Sequence, residues 1–439
     1  MGAILAAPWW VTTLAVIGLL ALATAIVTLF FKLGRRPGKL WSVDSPPLDS
    51  DEFLRGLAGL VNAPLASGGT AELLNNGEAF FPRLLDDIAS ARHNINFSVY
   101  IWEPDQTSER VLAALTTRAQ EGIQVRVLLD AMGGMRIPDD AADRLREAGG
   151  RIEWYRPPVF GKLMRFHRRN HRRAITIDGS IGYTGGMAIS DKWIGDARNP
   201  DEWRDYMVRF TGCTAGTLQA AFTELWAYTC GEILTGDDFY PAYDSTDDEA
   251  GPGARRIHRH TGIVSSPSDD EYPLRLFFLL TFLGARERLY VATPYFVPDR
   301  NTRRIVAQRA RAGVDVRILV PNEHTDAAPI RRTTHFYMDE LLAAGVRMYE
   351  YQPTMMHSKL CVADGAWSIV GSANMDIRSK ELNNENVVGI QDRGFAADIE
   401  KTFLADLEQA REIRLDEWRG RPFHNRVIER CCAIFAEQY

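Results

Sequence analysis

"ARHNINFSVYIWEPD", residues 91–105, returns as "ARERLYVATPYFVPD" at 285–299, with Ala-Arg and Pro-Asp at matching ends. The middle of each copy alternates aromatic and β-branched side chains, the pattern of a buried strand that runs into a turn. The following segments repeat as well. A helical stretch leads through glycine to "GIQVRVLLD" (122–130) or "GVDVRILVP" (313–321), and another leads to "AGGRIEWY" (148–155) or "AGVRMYEY" (344–351). Glycine closes the helix each time. Strands alternating with helices, written twice, predict an α/β protein with two tandem repeats, each a mixed sheet flanked by helices, related by a pseudo-twofold axis.

The repeats are expected over 66–234 and 257–420. Between them, 235–256 is acidic and rich in Gly, Pro and Ser, which reads as a linker. An Asn76-Gly77 turn and an amphipathic helix precede the first repeated strand. The tail, 421–439, is amphipathic; it reads as a helix packed on the core, with contact to a bilayer as the alternative.

Residues 1–31 carry no charged side chain, and the run from Trp9 to Phe31 is long enough to cross a hydrocarbon layer of about 30 Å. An uncleaved single-pass anchor is expected, a cleaved signal peptide being the alternative. Lys32, Arg35, Arg36 and Lys39 open a juxtamembrane segment, 32–65, while no basic side chain precedes the span. That asymmetry puts the rest of the chain in the cytoplasm. The five cysteines show no paired spacing of a disulfide framework or zinc site. The net charge of −6 offers no global attraction to polyanions, so no nucleic-acid partner is expected.

A second repeat carries the chemistry. "NHRRAITIDG" (170–179) and "MHSKLCVADG" (356–365) each place a histidine seven residues before an aspartate. On a short strand, residues two apart share a face, so His171 stands with Arg173 and His357 with Lys359. Asp178-Gly179 and Asp364-Gly365 are turn dipeptides. Gly185-Gly186 and Gly371-Ser372 follow, then Ala188 and Asn374 at matching positions. One such histidine reads as structural; two in register read as a site. Brought together, the halves supply two imidazoles, two cations and small-residue turns, a pocket for phosphodiester chemistry with no metal and no cofactor.

"HSKLCVADG…GSANMDIRS…NNE" resembles the HxK(x)4D signature of the phospholipase D superfamily with its GSxN element. "NGEAFFPRLLDDIASARHNI", "GYTGGM", "EWRDYMVRF" and "TPYFVPD" are similar to the bacterial cardiolipin synthase branch, over roughly residues 70–420. The resemblance implies a phosphatidyltransferase in which His171 forms a phosphohistidine and His357 serves as acid, then base. It implies that Arg173, Lys359, Ser372 and Asn374 hold phosphoryl oxygens. Glu385 matches a carboxylate that orients a catalytic histidine; Asp205 is its expected counterpart in the first half, with Glu202 a rival. Asp178 and Asp364 brace the strand-to-turn geometry. The first half departs from the pattern at Arg173, where the motif has lysine, and at Ala188, where it has asparagine.

The stretch "GKLMRFHRRNHRR" (161–173) gathers Lys162, Arg165, Arg168 and Arg169 into an expected headgroup patch. The expected partner is an anionic phospholipid, phosphatidylglycerol, in a bacterial cytoplasmic membrane. The leading expectation is the joining of two phosphatidylglycerols into cardiolipin with release of glycerol. Alternatives are transfer to another alcohol or to water, a nuclease, and an inactive membrane-binding homologue.

Overall fold

The computed structural model describes residues 8–32, 45–157, 168–243, 251–266 and 273–436. A helix α1 (Trp9–Lys32) and a short helix α2 (Asp51–Val61) lead in. The first half then runs β1 (Leu65–Ala66), β2 (Thr70–Asn75), α3 (Asn76–Ser90), β3 (Asn94–Val99), α4 (Gln106–Gln120), β4 (Gln124–Asp130), α5 (Asp139–Glu147) and β5 (Arg151–Tyr155). It continues through β6 (Ala174–Ile177), β7 (Ile181–Gly185), β8 (Tyr206–Thr211) and α6 (Cys213–Cys230). The second half opens with β9 (Ala254–Arg256), β10 (Arg259–Ser265), α7 (Pro273–Gly284), β11 (Arg288–Ala292), β12 (Phe296–Val297), α8 (Arg300–Arg311), β13 (Asp315–Pro321), α9 (Ala328–Leu342) and β14 (Arg347–Tyr351). After these come β15 (Leu360–Ala363), β16 (Trp367–Gly371), β17 (Met375–Asp376), α10 (Ile377–Glu381), β18 (Glu385–Gln391) and α11 (Arg393–Glu408). The chain ends in β19 (Ala410–Ile413), α12 (Leu415–Gly420) and α13 (Phe423–Ala433).

The expected α/β repeats are present as two mixed sheets of matching order. One runs β5-β4-β3-β6-β7-β8-β2-β9; the other runs β14-β13-β11-β15-β16-β18-β10-β1, with β19 added beyond β14. In each, the three strands at one end are parallel and the rest antiparallel. The strand-end aspartates Asp105 and Asp299 cap the helices that follow, accepting from Ser108 N and from Asn301 N and Thr302 N. Gly122, Gly149, Gly313 and Gly345 all take positive φ after their helices, as the glycine-terminated pattern predicts.

The edges of the sheets are exchanged. β1, which precedes the first repeat, pairs with β10 in the second sheet; β9, at the end of the expected linker, pairs with β2 in the first. The expected juxtamembrane segment 32–65 is therefore not merely a tether in its described part. Its helix α2, capped by Ser50, buries Phe53, Leu54 and Leu57 in the second half's core, with Phe53 edge-on to Trp367 at 5.2 Å. The apolar periodicity of "DEFLRGLAGLV" is the cause. A shared core, including Val208, Phe210 and Leu218 with Val362, Val388 and Ile390, joins the two halves.

Asn76 takes a left-handed φ of 55°, a turn between strand and helix, and starts α3 directly. The place of the two histidines needs correction. His171 and His357 lie just before β6 and β15, not on them, because the chain there leaves its own sheet to pair across the halves. The expected anchor corresponds to α1, whose side chains are described at residues 9–20 and 22; among the described residues no helix is long and apolar enough to cross a membrane. Of the expected linker, 244–250 lies outside the described residues, as do Arg35, Arg36 and Lys39.

Candidate active site

The pairing across the halves builds the site. Asn170 bridges Asn384, and His171 N donates to Asn384 O at 3.0 Å; symmetrically, Arg204 bridges Met356, and His357 N donates to Arg204 O at 2.8 Å. Each histidine segment is thereby held beside the other half's carboxylate strand. The side chains follow the same crossing. His171 Nδ1 lies 2.8 and 3.0 Å from the two oxygens of Glu385, and His357 Nδ1 lies 3.0 Å from Asp205 Oδ2. With Nδ1 of each ring held by a carboxylate, Nε2 is the nitrogen that no carboxylate occupies. The two imidazoles are near enough to interact electrostatically.

Behind these pairs the support is asymmetric. Ser372 Oγ donates to Glu385 Oε2 at 2.5 Å. Its counterpart Gly186 has no hydroxyl, and a Cβ there would fall 2.3 Å from Asp205 Oδ1. Asp205 is instead held by Trp193 Nε1 at 3.1 Å and its neighbour's Tyr206 N at 2.8 Å. That close approach is why the first half carries Gly-Gly where the second carries Gly-Ser. Glu202, the rival, accepts from Asp196 N and Arg198 N in a surface loop and does not touch His357.

The cations sit beside the imidazoles. Lys359 Nζ donates to His357 O at 2.8 Å and lies 3.1 Å from both ring nitrogens. Arg173 is fully buried; its Nη1 donates to His171 O at 2.8 Å, while Nε and Nη2 have no hydrogen-bond partner. Asn374 Oδ1 is likewise buried without one. Unsatisfied guanidinium N–H groups in a closed pocket fit an anionic oxygen. Ala188 lies in an apolar cluster with Met187 and Ile189, so the turn matching Asn374 contributes packing.

Burial dominates the proton affinities. It drives His171 well below the ordinary histidine range, with Arg173 and Lys359 adding to the effect. His357 is lowered by burial and by Lys359, against the opposing pull of Asp205. Burial lowers Lys359 to about 7 and raises Glu385 to about 8. Burial thus works against charge on both imidazoles, on Lys359 and on Glu385.

Asp178 and Asp364 stand outside this cluster. Each takes a left-handed φ, 52° and 53°, and its carboxylate accepts three successive backbone N–H groups, from Arg92 to Asn94 and from Arg286 to Arg288. These bonds pin each turn to the start of the first repeated strand. Of the expected headgroup patch, Lys162 and Arg165 lie outside the described residues. Arg169 does not face a headgroup: it is buried, 3.3 Å from Asp130, whose other oxygen accepts from Asn170 N. Arg168 is half-buried next to it.

Several residues at the site were missed by sequence reasoning. Tyr100 meets His171 edge-on at 5.2 Å, and Trp193, Trp203 and Tyr295 surround His357 at 5.6, 5.7 and 6.3 Å. Asn386 clamps Arg173 from the other half, accepting from its N and donating to its O, each at 3.1 Å. The position of Asn386 directly after Glu385, and of Trp203 two residues before Asp205, was the available signal. Among the described residues no group of three His, Cys, Asp or Glu is placed to hold a metal ion.

Two matched repeats that pool their histidines in one site define a protein of the phospholipase D type. The chain belongs to the family described as cardiolipin synthase, PLD-like domain, whose model matches residues 84–201 and 279–407. It is 32% identical over 375 residues to cardiolipin synthase 1 of Bacillus cereus, covering 83% of this chain and 72% of that protein. To cardiolipin synthase of Halalkalibacterium halodurans it is 30% identical over 383 residues, covering 86% and 74%. In fold it is similar to a solved phosphatidylserine synthase from Haemophilus influenzae, with TM-score 0.68 at 15% identity, covering 89% of this chain and all of that one.

Proposed function

We propose that this phosphatidyltransferase joins two phosphatidylglycerol molecules into cardiolipin, releasing glycerol, through a phosphohistidine on His171. The observation that carries the reading is the crossed pairing of two imidazoles with two buried carboxylates beside an unsatisfied Arg173. Glu385, ionised, accepts Nδ1–H of His171 and leaves the Nε2 lone pair free to attack phosphorus. The P–O bond to glycerol breaks as His357 Nε2 gives its proton to the leaving oxygen. A second phosphatidylglycerol hydroxyl then loses its proton to His357 and attacks the phosphohistidine, restoring His171. Arg173, Lys359 and Asn374 hold the phosphoryl oxygens as charge builds on them.

Purified protein in mixed micelles with phosphatidylglycerol should yield cardiolipin and glycerol in equal amounts and leave single-stranded DNA intact. Free phosphatidic acid without cardiolipin would indicate a hydrolase, and nicked DNA a nuclease. The family relatives favour a lipid substrate.

The pH profile tests the charge assignments. kcat/KM reports groups in the free enzyme. Ionised Glu385 increases as pH rises through about 8, whereas charged Lys359 decreases through about 7. Protonated His357, the acid of the first step, is also lost on the alkaline side, its proton affinity lowered by burial and by Lys359. kcat/KM should therefore fall at alkaline pH with the loss of two protons, and Lys359→Arg, which keeps its charge, should leave a fall governed by one. An alkaline limb unchanged in that variant would remove Lys359 from the assignment.

The membrane anchor belongs to the same reading. It rests on the sequence: the run from Trp9 to Phe31 carries no charged side chain and, as a helix, would exceed the roughly 30 Å of a hydrocarbon core. We place the remaining chain on the cytoplasmic side of a bacterial inner membrane. Protease added to inverted vesicles should digest it; protection there would reverse the orientation.

A further inference from the structure

The C-terminal helix α13 is packed inside out. Glu429, its one acidic residue, is 1% exposed and paired with Arg421 at 2.6 and 3.0 Å, while Phe423 is 78% exposed. Phe423, Val427, Cys431 and the C-cap Ile434 recur at helical spacing on the solvent side, and Arg426 and Arg430, both exposed, flank them. An apolar stripe edged by arginines, with no exposed carboxylate among the described residues of the helix, suits the headgroup boundary of an anionic bilayer.

The helix also lies along α9 and runs antiparallel to it: Arg419, in α12 just before it, pairs with Asp339, Glu429 acts on His335, and Cys432 lies in the field of Arg332, one turn into α9. Just before α9, Asp326 accepts from Tyr295 OH at 2.8 Å, and the Tyr295 ring faces His357. On the facing half, Met132 and Met135 are exposed in a loop that starts at Asp130, the carboxylate that holds Asn170 beside His171. Exposed apolar side chains thus stand, in both halves, on segments joined to the site.

We propose that α13 is an interfacial helix whose outward face lies in the surface of an anionic bilayer and sets the mouth of the site against it, so that lipid enters from the membrane. Its position at the bilayer is independent of the reaction; only the kinetic arm of the test rests on the lipid substrate proposed above.

The full chain carrying His171→Ala, with Cys213, Cys230 and Cys432 replaced by serine, is labelled at Cys431 with an environment-sensitive fluorophore and placed in phosphatidylglycerol vesicles whose acyl chains carry a quencher. The label should shift to the blue and lose about half its emission, as expected for a shallow interfacial helix. A label at Ser90→Cys, beyond the opposite end of β3 from Tyr100, should be unaffected. A Cys431 label that behaves like the Ser90 label overturns the proposal, and so does Cys431-to-Cys431 cross-linking without quenching, which would assign the face to a second copy. In the active enzyme, combined Phe423→Ser, Val427→Ser and Ile434→Ser should raise KM for vesicle phosphatidylglycerol about tenfold. Turnover of a water-soluble short-chain analogue should not change; equal loss on both substrates would count against a surface role.

Discussion

His357→Ala is expected to capture the reaction halfway. With His171 intact, phosphatidylglycerol still meets a nucleophile whose Nδ1 is held by Glu385, so radiolabelled lipid should become attached to the protein at His171. The adduct forms slowly because the leaving glycerol has no proton donor, and it persists because the incoming hydroxyl has no base. His171→Ala should bind no label at all. Both variants should lose about 10⁴-fold in steady-state turnover, roughly 5.4 kcal/mol of barrier, since groups that act as a unit fail together. Label mapped to His357 in the His171→Ala protein would exchange the two roles. Its absence from both variants would argue for direct displacement.

How far the sequence revealed this site depends on the distance over which each feature acts. The repeated strand at 91–105 and 285–299, the glycine helix stops and the aspartate turns are local, set by pleat and turn geometry, and the structure has them; the histidines lie just before their strands because their pairing crosses the halves. The exchange of β1 and β9 between sheets is not local. Leu65–Ala66 is a two-residue strand, too short for any pattern, and its partner His260–Thr261 is remote in the chain. Arg169 departs from the expected headgroup patch for a related reason. In a run of arginines nothing distinguishes a solvated guanidinium from one aimed at a buried carboxylate, and only the fold brings Asp130 to it. The aromatic enclosure of His357 draws Trp193 and Trp203 from one half and Tyr295 from the other, so no single stretch displays it.

The crossing of the carboxylates makes the sharpest demand on experiment. Glu385 lies in the half that contributes His357, yet it holds His171; Asp205 lies in the half that contributes His171, yet it holds His357. Changing either to its amide keeps the size and inverts the hydrogen bond, because an amide N–H offered to Nδ1 moves the ring proton to Nε2. In Glu385→Gln, the proton would occupy the attacking nitrogen of His171, and covalent labelling should slow by about 10³- to 10⁴-fold, the scale of a wrong tautomer in a catalytic histidine. In Asp205→Asn, His171 remains competent, while His357 can no longer take a proton on Nε2 and its cationic form loses its counter-ion. That variant should turn over as poorly but accumulate labelled His171, as His357→Ala does. Carboxylates serving the histidine of their own half would give the opposite pattern, with accumulation in Glu385→Gln and none in Asp205→Asn. Single-turnover labelling of the two amide variants therefore tests whether each half completes the other's histidine, the feature that makes one site out of two repeats.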